Sequence, residues 1–239
     1  MYHTDAASYA AKIKQLLDST DRRTLALAFQ LMQSLGKPDL PGFSKLVSNG
    51  GLKIAFCLRY GLAEYLLHLD AIYLIDEPLE VLPPEIGQLR QLEELEIRRA
   101  GIRHLPRQLA FLKKLQRLNL AENALIDFPS EVMYLSELRS LDMSQNQLRE
   151  VHDNVAFLAK LRAMYLANNH LQELPLHFSP MKSLGYLDLR FNQIRHLPVQ
   201  WAAPPMLRYL DLRGNPIDKM QVDAFKKAQP QLKVAFSEY

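Results

Sequence analysis

Tyrosine, aspartate and arginine recur at the same alternate positions in two segments near the carboxyl terminus. The segments contain Tyr186-x-Asp188-x-Arg190 and Tyr209-x-Asp211-x-Arg213. Alternate residues of a β-strand share one face, so we expect all six side chains to point away from the core onto one surface. Tyrosine and arginine are enriched at protein-binding hot spots. The pattern therefore predicts a site for a protein partner, with Tyr165 one strand away and Phe191 beside Arg190.

Groups suited to catalysis are scarce in this sequence. Motifs that bind nucleotide phosphates, activate a serine nucleophile or hold a hydrolytic zinc are missing. Cys57 lies in the apolar run Ile-Ala-Phe-Cys-Leu, a setting that raises the pKa of a thiol and leaves it unreactive. We therefore expect a protein that is not an enzyme and that has no catalytic residue and no cofactor.

Composition favours a soluble folded protein. The chain has 239 residues, of which 48% are apolar and 23% charged, so it can bury a core and is not globally disordered. A single cysteine, no glycosylation sequon and no secretory signal in residues 1–12 predict a cytoplasmic location. The most apolar stretch, residues 52–74, is interrupted by charged side chains such as Lys53 and Asp70, so we expect no membrane span.

A 23-residue repeat organises most of the chain. Each unit follows the pattern L-x-x-L-x-L-x-x-N-x-L-x-x-L-P, with some substitutions. Its first leucine recurs in strict steps at Leu69, Leu92, Leu115, Leu138, Leu161, Leu184 and Leu207. A fixed period of this length is the sequence signature of a horseshoe solenoid.

This pattern closely resembles the leucine-rich repeat family. Within the family it is most similar to the 23-residue Leu-Pro subclass of Ras-associated scaffold proteins and many bacterial proteins. The resemblance covers residues 69–206 as six full repeats, followed by a last unit from Leu207. It implies a right-handed α/β solenoid whose parallel sheet forms the concave, partner-binding face.

Each position of the unit has a physical reason. The L-x-L alternation places leucines on one face of a short strand. Asparagine follows where the chain turns, and its amide can satisfy buried backbone groups. Glu77 and Ala100 replace it in the first two units, so we expect an asparagine ladder only from the third unit. Proline, replaced by His152 in one unit, is expected to start a 3₁₀ turn on the opposite side.

Both ends of a solenoid expose apolar core and need caps. We expect residues 1–68 to form a helical N-terminal cap. Its helices are predicted over 5–18, from a capping Thr20 to Gly36, and over 43–67. Residues 207–239 are predicted to contain the last repeat strand, a helix from Lys219 to Ala228 and a closing strand.

Metal and nucleic acid are disfavoured as ligands. His104 and His196 share one position of the unit but lie four repeats apart, about 19 Å at ~4.8 Å per strand, too far for one metal ion. The repeat body carries 17 acidic and 15 basic residues. A nucleic-acid interface should instead concentrate basic residues on one face.

Two other interpretations of the concave face stay open. Its N-terminal half presents a second, charged candidate surface formed by Tyr73, Glu94, Glu96, Arg98, Arg99, Arg117 and Asn119. The Tyr-x-Asp-x-Arg pattern can also be structural, because aspartate is frequent at this position in the family and neighbouring units share residues by duplication. Against that, Asp188 beside Asp211 puts like charges on adjacent strands, which is unfavourable without compensating pairs.

We therefore predict a non-catalytic module or scaffold for protein–protein interaction. The resemblance implies a scaffold or regulator, with small GTPases as one partner class. A structural segment of a larger assembly and an enzyme with its site in residues 1–68 are the alternatives.

Overall fold

The computed structural model describes residues 3–37, 42–48, 50–174, 178–198 and 200–237. Four helices come first, and strands with short 3₁₀ turns follow. The helices are α1 (His3–Leu17), α2 (Arg22–Ser34), α3 (Phe43–Val47) and α4 (Gly51–Arg59), with a 3₁₀ turn at Ala63–Leu66. The strands are β1 (Ala71–Ile75), β2 (Glu94–Arg98), β3 (Arg117–Asn119), β4 (Ser140–Asp142), β5 (Ala163–Tyr165), β6 (Tyr186–Asp188), β7 (Tyr209–Asp211) and β8 (Lys233–Ala235). Helix α5 (Lys219–Ala228) lies between β7 and β8.

The strands form one parallel sheet in sequence order from β1 to β8. From β1 to β7 each strand pairs with the next in the register set by the repeat, so Leu118 lies beside Leu141 and Leu141 beside Met164. The inward residues of every strand are buried. The buried core is continuous from Ile13 in α1 to Val234 in β8. The predicted α/β solenoid architecture is therefore confirmed.

An asparagine ladder runs along one edge of this core, as predicted. Asn146 accepts a hydrogen bond from the Leu125 amide at 3.0 Å and donates to the carbonyls of Leu120 and Met143 at 3.0 and 3.1 Å. The same bonds recur at Asn123, Asn169, Asn192 and Asn215. Each amide thus joins its own unit to the preceding one and satisfies backbone groups that the turn would otherwise bury.

Every unit has a residue in the left-handed backbone region just before the asparagine position. These residues, with φ between 51° and 70°, are Asp76, Arg99, Glu122, Gln145, Asn168, Phe191 and Gly214. The left-handed region costs roughly 1–2 kcal/mol for a residue other than glycine. The turn and the ladder that follow it must offset this cost in each unit.

Short 3₁₀ turns occupy the side of the solenoid opposite the sheet. They span Pro84–Gln88, Arg107–Phe111, Ser130–Tyr134 and Asp153–Phe157. In the last of these, His152 replaces proline yet keeps φ at −66°, and its Nδ1 accepts a hydrogen bond from the Asn154 amide at 3.2 Å. Pro175 lies outside the described residues.

The N-terminal helices differ from expectation in detail. Asp21, not Thr20, caps α2, because its carboxylate accepts both the amide and the hydroxyl of Thr24 at 2.8 and 2.7 Å. The helical region predicted over 43–67 is divided into α3, α4 and a 3₁₀ turn. Residue Gly50, with φ 110°, stands between α3 and α4 in a conformation that ends helical winding.

The carboxyl-terminal elements match the predicted ones. Helix α5 has the predicted bounds, and Asp218 caps it through the amide of Met220 at 2.8 Å. Its Phe225 ring lies 5.8 Å from the ring of Trp201 in the buried core. Strand β8 adds to the open edge of β7, which pairs that edge's backbone groups.

Candidate functional site

Three tyrosines form a continuous row on the face of the sheet opposite the buried leucines, which we call the outer face. The Tyr186 and Tyr209 rings stack with centroids 5.3 Å apart and planes within 4°. The Tyr165 ring lies 5.3 Å from Tyr186 at a tilt of 42°. The ammonium of Lys233 lies 5.6 Å from the centre of the Tyr209 ring. All three tyrosines, hereafter the aromatic row, are half-buried and lie outside the core.

The two aspartates of the predicted site are buried, so the expectation that they reach the surface is wrong. Asp188 and Asp211 are each 1% exposed. Their carboxylates accept the amides of Arg190 and Arg213 at 3.0 and 3.2 Å, which holds them against the strand ends. The guanidinium groups of the same arginines then cover them.

These ion pairs also remove the like-charge problem on adjacent strands. Arg190 Nη2 lies 2.8 Å from Asp188 Oδ2, and Arg213 Nη2 lies 2.6 Å from Asp211 Oδ2. Arg190 Nε additionally lies 3.7 Å from Asp211 Oδ2, across the two strands. Hydrogen bonds to the carboxylates raise the pKa of Arg190 and of Arg213. Part of the Tyr-x-Asp-x-Arg pattern is therefore structural.

Phe191, three residues after the end of β6, projects into solvent. It has φ of 53° and is 55% exposed, both unusual for a large apolar residue. Its ring lies over Gly214, where an added Cβ would collide with Phe191 Cδ1. Glycine at 214 therefore makes room for the ring beside the aromatic row and Arg190.

The charged N-terminal half of the outer face is paired within itself. Arg98 pairs with Glu122 and, at 3.3 Å, with Glu96. Arg99 binds both oxygens of Asp76 at 2.5 and 2.9 Å and contacts Glu122 at 3.0 Å. These bonds lower the pKa of Asp76 and of Glu122 and raise that of both arginines.

The remaining residues of this second candidate surface also have partners. Arg117 pairs with Glu94, which lowers the pKa of that carboxyl. The Asn119 oxygen accepts the Ala121 amide at 3.0 Å, so this side chain caps its own strand end. The pKa of Tyr73 is raised by partial burial and by the nearby Glu94. A ligand here would have to compete with existing pairs.

Sequence reasoning missed two exposed rows. Arg139, Arg162 and Arg208 share the position just before the first outward residue of their strands, and all three are exposed. On the opposite side, one position of the 3₁₀ turns carries Phe111, Tyr134 and Phe157, which are 52%, 61% and 69% exposed. The 23-residue spacing of both sets is visible in the sequence, although their exposure is not.

Sites for other chemistry find little support among the described residues. No group of three metal-binding side chains occurs in that part of the chain. Cys57 is fully buried, and burial raises the pKa of its thiol. A cleft of about 500 Å³ lies between the N-terminal helices and the loop after β1, but its lining residues offer no hydroxyl, thiol or imidazole. No described helix has the length and apolar character needed to cross a bilayer.

The family model described as "Leucine rich repeat" matches residues 90–148, 114–171 and 159–217. These overlapping segments run from residue 90 to residue 217, more than half of the 239 residues. The chain belongs to the leucine-rich repeat family. Leucine-rich repeat domains generally serve as non-enzymatic scaffolds for interaction. No curated protein sequence matches the chain.

The chain is similar to several solved leucine-rich repeat structures. The ectodomain of the Arabidopsis thaliana membrane receptor kinase GASSHO1/SCHENGEN3, in complex with CASPARIAN STRIP INTEGRITY FACTOR 2, is 29% identical with a TM-score of 0.55 over 66% of this chain and 20% of that one. A TLR13–ssRNA13 complex is 27% identical, with a TM-score of 0.57, and the match covers 61% of this chain and 21% of that one. A Leptospira interrogans leucine-rich repeat protein is 24% identical with a TM-score of 0.47 over 74% and 57%. The chain therefore spans less than two thirds of each of these proteins.

Proposed function

We propose that this leucine-rich repeat protein is a non-catalytic interaction module that binds a protein partner on the outer face of its sheet, at the carboxyl-terminal half. The aromatic row carries this proposal. Three adjacent strands hold tyrosine rings in contact with one another, outside the core and partly open to solvent. Rigid aromatic side chains of this kind supply large contact area at small entropic cost.

The surroundings of the aromatic row support the same location. Phe191 extends the aromatic surface, and Gly214 is the residue type that leaves room for its ring. The N-terminal half of the outer face is instead occupied by ion pairs of its own. The site so defined consists of Tyr165, Tyr186, Tyr209 and Phe191, flanked by Arg190 and Arg213, while Asp188 and Asp211 support those arginines from below.

The partner class is a narrower proposal, which comes from the family resemblance. Membership in the Leu-Pro subclass would make a small GTPase one partner class and this chain its regulator, whereas a structural segment would capture further copies of itself. Composition supports action in the cytoplasm, because the lone Cys57 has no intramolecular disulfide partner. The identity of the captured partner distinguishes these alternatives.

The test is affinity capture with the full chain and two matched double variants. Tyr186→Ala/Tyr209→Ala removes two aromatic rings from the outer face, and Tyr134→Ala/Phe157→Ala removes two exposed rings from the opposite side. We expect the first variant to bind the captured partner at least ~2 kcal/mol more weakly, about 30-fold in Kd, and the second to bind it normally.

Thermal melts of both variants exclude unfolding as the cause of any loss. The reverse result, with binding lost only in Tyr134→Ala/Phe157→Ala, would move the site to the 3₁₀ side. Retained binding by both variants would reject the aromatic row as the site.

A further inference from the structure

A row of arginines borders the aromatic row at the N-terminal ends of the strands. Arg139, Arg162 and Arg208 occupy it on β4, β5 and β7, and Gly185 occupies it on β6. Side chains in this row lie side by side, since Gln116 Nε2 contacts Glu93 Oε2 at 2.9 Å one strand apart in the same position. We call the four positions 139, 162, 185 and 208 the basic edge.

The charges of the basic edge are uncompensated within the described part of the chain. All three arginines are exposed, and none has an ion pair or hydrogen bond through its side chain to another described residue. Arg139 and Arg162 stand on adjacent strands, about 4.8 Å apart at the backbone, where like charges repel. Every predicted arginine of the N-terminal half, by contrast, has a carboxylate partner.

The outer face of β4–β8 and the basic edge beside it are together basic. Their positions hold six cationic residues and three anionic ones. The cationic residues are Arg139, Arg162, Arg190, Arg208, Arg213 and Lys233, and the anionic ones are Asp142, Asp188 and Asp211. Asp188 and Asp211 are buried and already covered by arginine, so they do not offset the basic edge.

Gly185 leaves an opening between two of the arginines. A Cβ at this position would meet only ordinary contacts, at 3.7 Å from the Met206 carbonyl oxygen and 3.8 Å from that of Arg162. Backbone geometry therefore does not require glycine here. Because a side chain is missing, an incoming group can approach between Arg162 and Arg208, whose backbones are about 10 Å apart, two strand spacings.

Contacts within the aromatic row favour a peptide over nucleic acid. Single-stranded nucleic acid binds by stacking bases on open aromatic faces. Here one face of Tyr209 is taken by the Tyr186 ring, and an ammonium group, that of Lys233, also lies against Tyr209. The row thus presents mainly ring edges and hydroxyls, which suit peptide side chains and backbone amides.

We propose that the occupant of this surface is an extended acidic segment of a partner protein, containing aspartate or glutamate. Its carboxylates would bind Arg139, Arg162 and Arg208, and its apolar side chains would pack on the aromatic row. The basic edge spans three strand spacings, about 14 Å, which an extended segment of about four to five residues covers. This inference rests on the proposed function, because it assumes that the partner binds at the aromatic row.

The experiment is selection from a random 12-residue peptide library with the full chain at low salt. We expect the selected peptides to be enriched in aspartate and glutamate alongside apolar residues. Reversal of charge in Arg162→Glu/Arg208→Glu should weaken a selected peptide at least about ten-fold in Kd, and added NaCl should weaken it as well. The matched control is Arg149→Glu/Arg195→Glu, which makes the same charge change at exposed residues outside the basic edge and should bind normally.

Four results would overturn the inference. Peptides that depend on Tyr186 and Tyr209 but lack acidic residues, or bind Arg162→Glu/Arg208→Glu normally, would reject the acidic segment and leave the proposed function standing. Selection of no peptide that depends on those tyrosines would reject both. Binding of a 12-nucleotide oligouridine through the basic edge, without any such peptide, would assign the surface to nucleic acid.

Discussion

Arg190 covers a carboxylate that its own strand buries. Its Nη2 lies 2.8 Å from Asp188 Oδ2 and its Nε 3.0 Å from Asp188 Oδ1, while only 1% of Asp188 is exposed. The Arg190 side chain itself remains 37% exposed. This arginine therefore has two roles, because it neutralises a buried charge and also lies beside the candidate binding surface.

Removal of the Arg190 guanidinium should destabilise the fold. Removal of one partner from a fully buried ion pair lowers the free energy of unfolding by about 3–5 kcal/mol. Water reaches Arg190, so we expect Arg190→Ala to lower the free energy of unfolding by about 1–2 kcal/mol. The double variant Asp188→Asn/Arg190→Ala should lose less than the single Arg190→Ala variant. Urea unfolding measures both, and a double variant less stable than Arg190→Ala would contradict the role of Arg190 as a counter-charge.

The asparagine ladder should be sensitive to single substitutions. Asn146→Ala or Asn169→Ala leaves buried amide and carbonyl groups without partners, at about 1–3 kcal/mol each. Asn119→Ala removes one hydrogen bond from a partly exposed side chain and should cost less. Urea midpoints should follow this order. Equal midpoints for the three variants would show that the ladder does not carry the expected energy.

Acid should weaken the ion pairs of the N-terminal half. Arginine partners lower the folded-state pKa of Asp76, Glu94 and Glu122. A lowered pKa means that the stabilisation is complete above the ordinary value, 4.5 for glutamate, and is lost as pH falls through the folded-state value. We expect the melting temperature to fall on acidification below that pH.

Glu122→Gln tests the origin of this acid dependence. It should flatten the fall, because the carboxylate shared by Arg98 and Arg99 is gone. Glu77→Gln is the control. Burial raises rather than lowers the pKa of Glu77, so this substitution should not flatten the fall in melting temperature. An acid profile unchanged by Glu122→Gln would place the acid-sensitive groups elsewhere.

The terminal segments are predicted to be caps. Helix α4 packs against β1 at one end, and β8 pairs with β7 at the other. A fragment of residues 69–206 would expose core leucines at both ends. We expect this fragment to aggregate while the full chain stays monodisperse in size-exclusion chromatography. A fragment that purifies as a cooperatively folding monomer would remove the assignment of residues 1–68 and 207–239 as caps.

The sequence predicted those features that depend on periodicity. Leucine spacing sets which residues are buried and how β1 to β7 pair, and the asparagine position sets the ladder from Asn123 onward. Helix α5 followed from local signals alone, with apolar spacing inside it and Pro230 beyond its end. Because the same residue types recur every 23 positions, few other strand pairings would bury all the leucines.

Features that depend on where long side chains lie could not be predicted. Asp188 reads as an outward residue by strand alternation, and its burial follows only from the guanidinium above it. Arg98 and Arg139 are both arginines beside short strands, yet of the two only Arg98 has a carboxylate partner among the described residues. The choice of Asp21 over Thr20 as a cap is likewise a competition between neighbours that periodicity cannot settle.

The bonds of the asparagine ladder have a consequence for changing the length of the molecule. Each amide bonds only its own unit and the unit before it, as Asn169 does to Leu166 in its own unit and to Met143 and Leu148 in the preceding one. One 23-residue unit could therefore be deleted or duplicated between equivalent positions of two units that carry the asparagine. The asparagine at the new junction would then re-form the same hydrogen bonds. The number of units would then set the distance between the basic edge and α4, in steps of one strand spacing.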